Sequence, residues 1–231
     1  MIQAVLSNPN HPDYGVVTIP FPIPHDQYAH CMELLEALEI GDAVKADCKV
    51  EKVDSFYTVL KRVEMLTVNV EELNYLAKRL DSFDTGEAAQ FQAMAHKLEL
   101  FELKDLINLT FCCQQATVIT DFSDLAAVGR DHYMNLHGGC AKTEELNALD
   151  GEETARRLIE NGGGTITPYG VVYDNGMKLE QVYDGRFFPC YYYEPNAITV
   201  AVTSKAEPED TEHITWLFLP MVQEEIDRAL L

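Results

Sequence analysis

The sequence lacks the features that mark several common classes of protein. Its six cysteines are scattered and contain no Cys-x-x-Cys pair, whereas structural zinc sites use two close pairs of ligands. No stretch approaches the roughly 20 apolar residues of a membrane span. No P-loop, G-x-S-x-G or H-E-x-x-H motif is present. We therefore expect no metal, no cofactor and no membrane insertion.

The start of the chain, MIQAVLSNPN, has no basic residue and no long apolar run. A secretory signal peptide needs both of these features, so we expect none here. The expected location is the cytoplasm, where the thiols stay reduced.

Basic residues are also scarce. The chain has 17 Lys and Arg against 38 Asp and Glu, for a formal net charge of −21, whereas a small soluble domain usually carries a magnitude of about 2–8. The acids are spread along the chain, and three long stretches contain no base: 80–96, 143–155 and 206–227. Such a charge repels nucleic acid and anionic membranes and attracts basic partners. Solubility alone is the simpler explanation of the same charge.

The hydrophobic fraction of 47% is ordinary for a globular protein, so a core can form despite the charge. Apolar runs around NPNHPD predict a β-hairpin at the start of the chain. A helical stripe predicts a helix over 25–40 that Gly41 stops, and DCKVEKV (47–53) alternates as a strand does. We predict an α+β fold built from small α/β modules. Its parts are an N-terminal α/β module (1–66), a helical middle (67–140), and a helix pair followed by a β-rich module (141–231).

Capping residues mark the starts of several helices. Asn69 precedes an apolar stripe over 69–80, and Asp84 with Glu87 matches a capping box for a helix over roughly 85–98. Asp150 with Glu153 repeats this pattern in the third part. Further on, Asn175–Gly176 is a strong hairpin signal, and the tail predicts a strand followed by a closing helix.

Carboxylates recur at three-residue spacing in two places. One set is Asp81, Asp84 and Glu87, and the other, on the first predicted helix, is Glu33, Glu36 and Glu39. Carboxylates three or four residues apart on a helix lie roughly 5–6 Å apart at Cβ, which is the order of the distance between phosphates along one nucleic-acid strand. A folded surface of this kind would present a phosphate-like pattern. For Asp84 and Glu87, the preference for negative charge in a first helical turn is a local alternative.

Four segments together resemble the ArdA-type antirestriction proteins of conjugative elements. They are LNYLAKRLDSFDTGEAAQFQAM (73–94), DLINLT (105–110), VGRDHY (128–133) and GGGTITPYGVVY (162–173). The resemblance covers roughly residues 69–185, about half of the chain. It rests on a pattern of helices, an acidic loop and a hairpin, and not on a catalytic signature.

The resemblance implies an elongated, acidic, usually dimeric chain of small α/β modules. Such a protein mimics bent DNA and occupies the DNA-binding groove of type I restriction–modification enzymes. The resemblance implies no enzyme activity, no metal and no direct binding of nucleic acid. The residues Asp81, Asp84 and Glu87 fall in the matching acidic segment and would replace phosphates. Glu71 and Glu72, at the start of the matching helix, are weaker candidates.

Other chemistry is less well supported by the sequence. The best metal candidates are Cys112, Cys113, His132, His137 and Cys140, but adjacent cysteines cannot easily both ligate one ion. Cys140, after two glycines, is the most plausible thiol nucleophile. The tyrosines of CYYYE (190–194) fit strand packing better than an aromatic platform. The alternative functions are an acidic adaptor for another basic protein of a conjugative element and, less favoured, a cysteine-dependent enzyme.

Overall fold

The computed structural model describes residues 1–189, 198–208, 210 and 213–231. Within these ranges the chain combines helices with small antiparallel sheets, which confirms the predicted α+β fold class. No helix in the described ranges combines the length and apolar composition that crossing a bilayer requires. The tyrosines of CYYYE, like Cys190, lie outside the described residues.

The order of elements follows the chain. The strands are β1 (Ile2–Ser7), β2 (Val16–Phe21), β3 (Cys48–Ser55), β4 (Thr67–Val68), β5 (Thr117–Ile119), β6 (Thr165–Thr167), β7 (Gly170–Tyr173), β8 (Ile198–Val202) and β9 (Thr215–Leu219). The α-helices are α1 (Tyr28–Ala37), α2 (Val70–Asp81), α3 (Thr85–Lys97), α4 (Leu103–Leu109), α5 (Leu125–Leu136), α6 (Thr143–Ala148), α7 (Gly151–Glu160) and α8 (Gln223–Ala229).

The chain forms two compact units. Unit 1 contains Met1–Ser82, Glu102–Ile107 and Gln181–Leu231, and unit 2 contains Phe83–Phe101 and Asn108–Glu180. The division into three modules along the sequence stays a prediction.

A four-stranded antiparallel sheet in the order β2-β1-β3-β4 belongs to unit 1. The predicted N-terminal hairpin is confirmed, because β1 pairs with β2 from Ile2 opposite Phe21 to Ser7 opposite Val16. Ile2, Ala4 and Leu6 alternate along β1 and are fully or almost fully buried, so one face of the sheet meets the core. Pro20 has no N–H to offer a ladder, and its place in an edge strand is where a sheet tolerates proline.

Helix α1 is shorter than predicted. It begins at Tyr28, after a 3-10 turn at His25–Gln27, and it ends at Ala37. The expectation that Gly41 stops the helix is wrong, because Glu39 already adopts a left-handed conformation with φ of 54°. The backbone N–H of Ile40 then donates to Leu35 O, and that of Glu39 donates to Glu36 O. These two bonds form a Schellman motif that uses a glutamate where glycine is the usual residue.

Helix α2 follows its sequence pattern closely. The Asn69 side chain accepts hydrogen bonds from the backbone N–H groups of Glu71 and Glu72, which confirms the predicted N-cap. The predicted stripe is fully buried and consists of Val70, Leu73, Leu76, Ala77 and Leu80. The C-terminal strand and helix of unit 1 are also confirmed, since β9 pairs with β8 and α8 follows it.

Unit 2 contains a three-stranded antiparallel sheet in the order β5-β7-β6. Helices α5 and α7 approach each other at a glycine contact. A Cβ atom on Gly129 would overlap the carbonyl oxygen of Gly151, and a Cβ atom on Gly151 would overlap that of Ala126. The lack of side chains at these two positions therefore allows the two helix backbones to touch.

Two local predictions in unit 2 are only partly right. At α7, Asp150 accepts from the backbone N–H of Glu153, but the Glu153 carboxylate pairs with Arg157 instead of completing a capping box. At Asn175–Gly176 the backbone turns with φ of 54° and 79°, as a type I′ turn requires. The predicted hairpin is nevertheless wrong, because no strand follows this turn in the described residues up to 189.

The turn at Asn175 serves a different purpose. The Asn175 side-chain amide donates to Gln115 O and to Thr117 Oγ1, over 2.8 and 2.9 Å, and so fixes the turn to β5.

In unit 1, Tyr183 stacks on Phe188, which in turn stacks on Tyr75 of α2. The aromatic residues downstream of the turn therefore pack against α2 instead of forming a strand.

Candidate binding surface of carboxylates

The candidate carboxylates divide between the units. Asp84 and Glu87 belong to unit 2. Those in unit 1 are Glu33, Glu36, Glu39, Glu71, Glu72 and Asp81. The sequence motif that suggested one continuous cluster over 81–87 thus spans the boundary at Ser82.

Asp84 and Glu87 form a reciprocal capping box at the start of α3. The Asp84 carboxylate accepts from the backbone N–H of Glu87 over 2.8 Å, and the Glu87 carboxylate accepts from the backbone N–H of Asp84 over 3.1 Å. Gln114 also donates to Glu87. Asp84 is exposed and Glu87 is half-buried. Capping therefore explains part of this motif, while Asp84 remains exposed at the surface.

Glu33, Glu36 and Glu39 are all exposed. Glu33 lies 3.9 Å from the ring of His30, whereas Glu36 and Glu39 have no ion pair with any described basic residue. Glu39 does not continue the helical row of carboxylates, because it lies beyond the end of α1. Its backbone is left-handed, and Glu99 repeats this conformation after α3 with φ of 53°.

Asp81 is the last residue of α2. Its side chain is 61% exposed, and the N-terminal ammonium group lies 3.7 Å from Oδ1. An exposed pair of this kind contributes little to stability. Asp81 is therefore open to solvent, although it has a cation beside it.

Glu71 and Glu72 are in a different situation, because internal partners already occupy both carboxylates. Arg228 donates from Nε to Glu71 Oε1 over 2.9 Å. The hydroxyl of Tyr183 donates to Glu72 Oε1 over 3.1 Å. Burial raises the pKa of Glu72, and this effect is larger than the opposing effects of Tyr183 and Lys104. Neither residue offers the freely exposed carboxylate that a phosphate mimic needs.

The partners of these two carboxylates were not among the candidates from the sequence. Arg228 is 157 residues from Glu71, and Tyr183 is 111 residues from Glu72. No local motif connects residues so far apart. The acid-rich tail around Arg228 gave no indication that its one arginine pairs with the first turn of α2.

The candidate metal ligands do not form a metal site. Among the described residues no group of three His, Cys, Asp or Glu side chains is arranged to hold a metal ion. Cys112 and Cys113 are buried, and Cys140 is exposed. The Nδ1 atom of His132 lies 2.9 Å from Thr117 Oγ1.

Thr117 Oγ1 also receives hydrogen bonds from Asn135 and Asn175, over 3.3 and 2.9 Å. Because these two amides occupy its lone pairs, the hydroxyl proton points to His132 Nδ1, which must then be unprotonated. Burial lowers the pKa of His132, in agreement with a neutral ring. These hydrogen bonds connect α5, β5 and the turn at 174–177 within unit 2. The role of His132 in them is structural.

Both units carry the negative charge. Unit 1 has 24 acidic and 11 basic residues, for a formal net charge of −13. Unit 2 has 14 acidic and 6 basic residues, for a formal net charge of −8. On α7 the acids are partly neutralised, since Glu152 pairs with Arg156 and Glu153 with Arg157. The charge on α1 has no such compensation from the described lysines and arginines.

Comparison with protein-family models and with curated proteins finds no match to this chain.

Proposed function

We propose that this protein is an antirestriction protein of the ArdA type, an acidic mimic of DNA that occupies the DNA-binding groove of type I restriction–modification enzymes. The proposal includes action in the cytoplasm as a homodimer, without catalysis and without direct contact to nucleic acid. A groove that binds DNA phosphates is basic, so it attracts a strongly acidic protein surface. Occupying the groove requires no catalysed reaction.

The observation that carries this proposal is the set of exposed carboxylates held by backbone geometry. Asp84 is held by a helix cap, and Glu33 and Glu36 are carried on α1. Glu39 and Glu99 occupy left-handed positions that disfavour a residue with a side chain. A carboxylate carried on ordered backbone loses less conformational entropy on binding than one on a flexible loop, which suits it to take the place of a backbone phosphate.

The negative charge of both units supports the same proposal. A charge of −13 on one unit and −8 on the other attracts a basic groove through either unit. An adaptor with one small docking site would not need acids in both parts of the chain.

A competition experiment with matched charge variants tests the proposal. A purified type I enzyme is bound to a labelled duplex that contains its recognition site, and the protein is added at low salt. We expect it to displace the duplex. Glu33→Gln, Glu36→Gln and Glu39→Gln combined should weaken this competition.

The control removes the same three charges from carboxylates that already have basic neighbours. It combines Glu145→Gln, Glu152→Gln and Glu153→Gln, whose partners are Lys142, Arg156 and Arg157. We expect this variant to compete almost as well as the wild type. If the wild-type protein displaces no duplex at low salt, the proposed function is wrong.

A further inference from the structure

A cluster of polar side chains in unit 1 lies where α8 meets α2 and the end of α1. Arg228, in the last turn of α8, donates from Nε to Glu71 Oε1 over 2.9 Å and from Nη2 to Gly41 O over 2.7 Å. The side chains of Arg228 and Glu71 are only 22% and 21% exposed. The two donors of one planar guanidinium thus reach two acceptors from different parts of the chain.

The hydroxyl of Tyr28 faces the same cluster. Tyr28 is 2% exposed, and its hydroxyl lies beside the Arg228 guanidinium without a well-formed hydrogen bond to any described residue. Burial raises the pKa of Tyr28 well above its ordinary value, Glu71 and Glu225 raise it further, and the neighbouring Arg228 guanidinium opposes them. A hydroxyl oxygen beside a guanidinium offers that guanidinium an additional acceptor.

Helix α8 is short, and the residues that follow it are exposed. It has seven residues, and an isolated helix of that length is not stable in water. The two leucines that follow it, Leu230 and Leu231, are 50% and 83% exposed. Glu225 approaches Lys78 Nζ and His25 Nδ1 at 3.9 and 3.8 Å. The two hydrogen bonds of Arg228 connect this short helix to α2 and to the segment after α1.

We propose that Glu71, the carbonyl of Gly41 and the hydroxyl of Tyr28 form a binding site for a guanidinium group. Arg228 fills this site within the chain, and an arginine side chain of a basic protein partner fills it when α8 is displaced. This inference goes beyond the proposed function, because it requires an arginine on the partner but neither a restriction enzyme nor mimicry of DNA.

The chemistry of the site favours guanidinium over ammonium. A guanidinium carries five N–H donors in a fixed plane, which lets it meet the Glu71 carboxylate and the Gly41 carbonyl at once. An ammonium is a compact, strongly hydrated charge without this geometry. An empty site would leave the half-buried Glu71 carboxylate unpaired, which is unfavourable. Exchange of one guanidinium for another avoids that state.

Chemical rescue tests the site directly. Arg228→Ala empties it, and we expect amide hydrogen exchange in α8 and in the first turn of α2 to become roughly tenfold faster, the effect of losing a charged hydrogen-bond partner. Millimolar guanidinium chloride should slow this exchange again, whereas equal sodium chloride or methylammonium chloride should not. Adding Glu71→Gln to Arg228→Ala should abolish the rescue.

The matched control is Arg156→Ala, which removes an exposed arginine that pairs with Glu152 on α7. We expect no change in the exchange of α8 in this variant and no response to guanidinium. If Arg228→Ala behaves as this control does, or if sodium chloride protects as well as guanidinium chloride, the inference is overturned.

A second variant covers the case in which Arg228→Ala does not fold. Arg228→Lys keeps the positive charge but loses the planar fork of donors. We expect Nα-acetyl-arginine amide to bind this variant and to shift the ring resonances of Tyr28 in a saturable way, whereas Nα-acetyl-lysine amide should not. Equal shifts with both amides, or no shift with either, would contradict a guanidinium site. The outcome is independent of antirestriction activity, since neither DNA nor a restriction enzyme is present.

Discussion

At the scale of single residues, Asp84 combines a structural role with exposure to solvent. Its carboxylate accepts the backbone N–H of Glu87 while it remains exposed at the start of α3. Loss of an N-cap carboxylate costs about 1 kcal/mol, so Asp84→Ala should lower the free energy of unfolding in urea by roughly that amount. Asp81→Ala, which removes another exposed carboxylate that caps no helix N-terminus, should change the free energy of unfolding by less than about 0.5 kcal/mol. Equal effects of the two substitutions would show that capping is not the role of Asp84.

Glu39 occupies a position where glycine would be more stable. Its φ of 54° is left-handed, which costs a residue with a side chain roughly 1 kcal/mol relative to glycine. We therefore expect Glu39→Gly to raise the free energy of unfolding by about 0.5–1 kcal/mol. The same change should weaken binding to a basic partner if the carboxylate is functional. Glu36→Gln controls for the loss of charge without altering the backbone.

The burial of Glu72 predicts a specific contribution to the pH dependence of the free energy of unfolding. Burial raises its pKa above the usual 4.5, so the folded protein holds this proton more tightly than the unfolded chain does. The contribution of Glu72 to stability is therefore lost as the pH rises from 4.5 through the raised pKa of the folded state. Because Glu72→Gln lacks this contribution, the free energy of unfolding of the wild type relative to that variant should fall between pH 4.5 and 7. Glu36→Gln should keep the wild-type pH dependence, and urea unfolding at the two pH values compares all three proteins.

At the scale of elements, the contact between α5 and α7 depends on glycine. A methyl group on Gly129 would overlap the Gly151 carbonyl, so Gly129→Ala must push the two helix backbones apart. We expect a loss of about 1–3 kcal/mol in stability, even though alanine favours helix formation. Arg130→Ala, at the exposed neighbouring position, should change stability by less than about 0.5 kcal/mol. A stable Gly129→Ala protein with unchanged amide exchange in α7 would contradict the close contact.

Elements that depend on local chemistry were predictable from the sequence. The caps at Asn69 and Asp84 bond to groups two or three residues away, so their patterns are visible in the chain itself. The type I′ turn at Asn175–Gly176 was predictable for the same reason. The sequence predicted a strand after that turn incorrectly, because a segment forms a strand only if the fold places a pairing strand beside it.

The candidate site shows the same limit. Sequence spacing identified exposed carboxylates such as Glu33 and Glu36, since charged residues on one face of a helix usually lie at the surface. It could not separate them from Glu71 and Glu72, whose partners Arg228 and Tyr183 lie more than a hundred residues away. Only tertiary contact distinguishes a carboxylate available to a partner from one already neutralised.

At the scale of the whole molecule, the net charge of −21 acts in opposite directions on folding and on binding. Repulsion between carboxylates disfavours the compact state, and salt screens it, with a Debye length that falls from about 30 Å at 0.01 M to about 10 Å at 0.1 M. Sodium chloride should therefore raise the free energy of unfolding over this range. Binding to a groove that normally holds DNA should weaken over the same range, because attraction between opposite charges is screened.

The two trends can be measured on one protein preparation by urea unfolding and by competition against labelled duplex. The variant combining Glu33→Gln, Glu36→Gln and Glu39→Gln should reduce the salt dependence of competition, since it removes charges that are proposed to face the partner. The Glu145, Glu152 and Glu153 variant should leave that dependence nearly unchanged, because neighbouring lysine and arginine side chains of the protein already pair with those carboxylates. If competition by the wild-type protein is independent of salt, the carboxylates are not acting as substitutes for phosphates, and solubility becomes the better explanation of the charge.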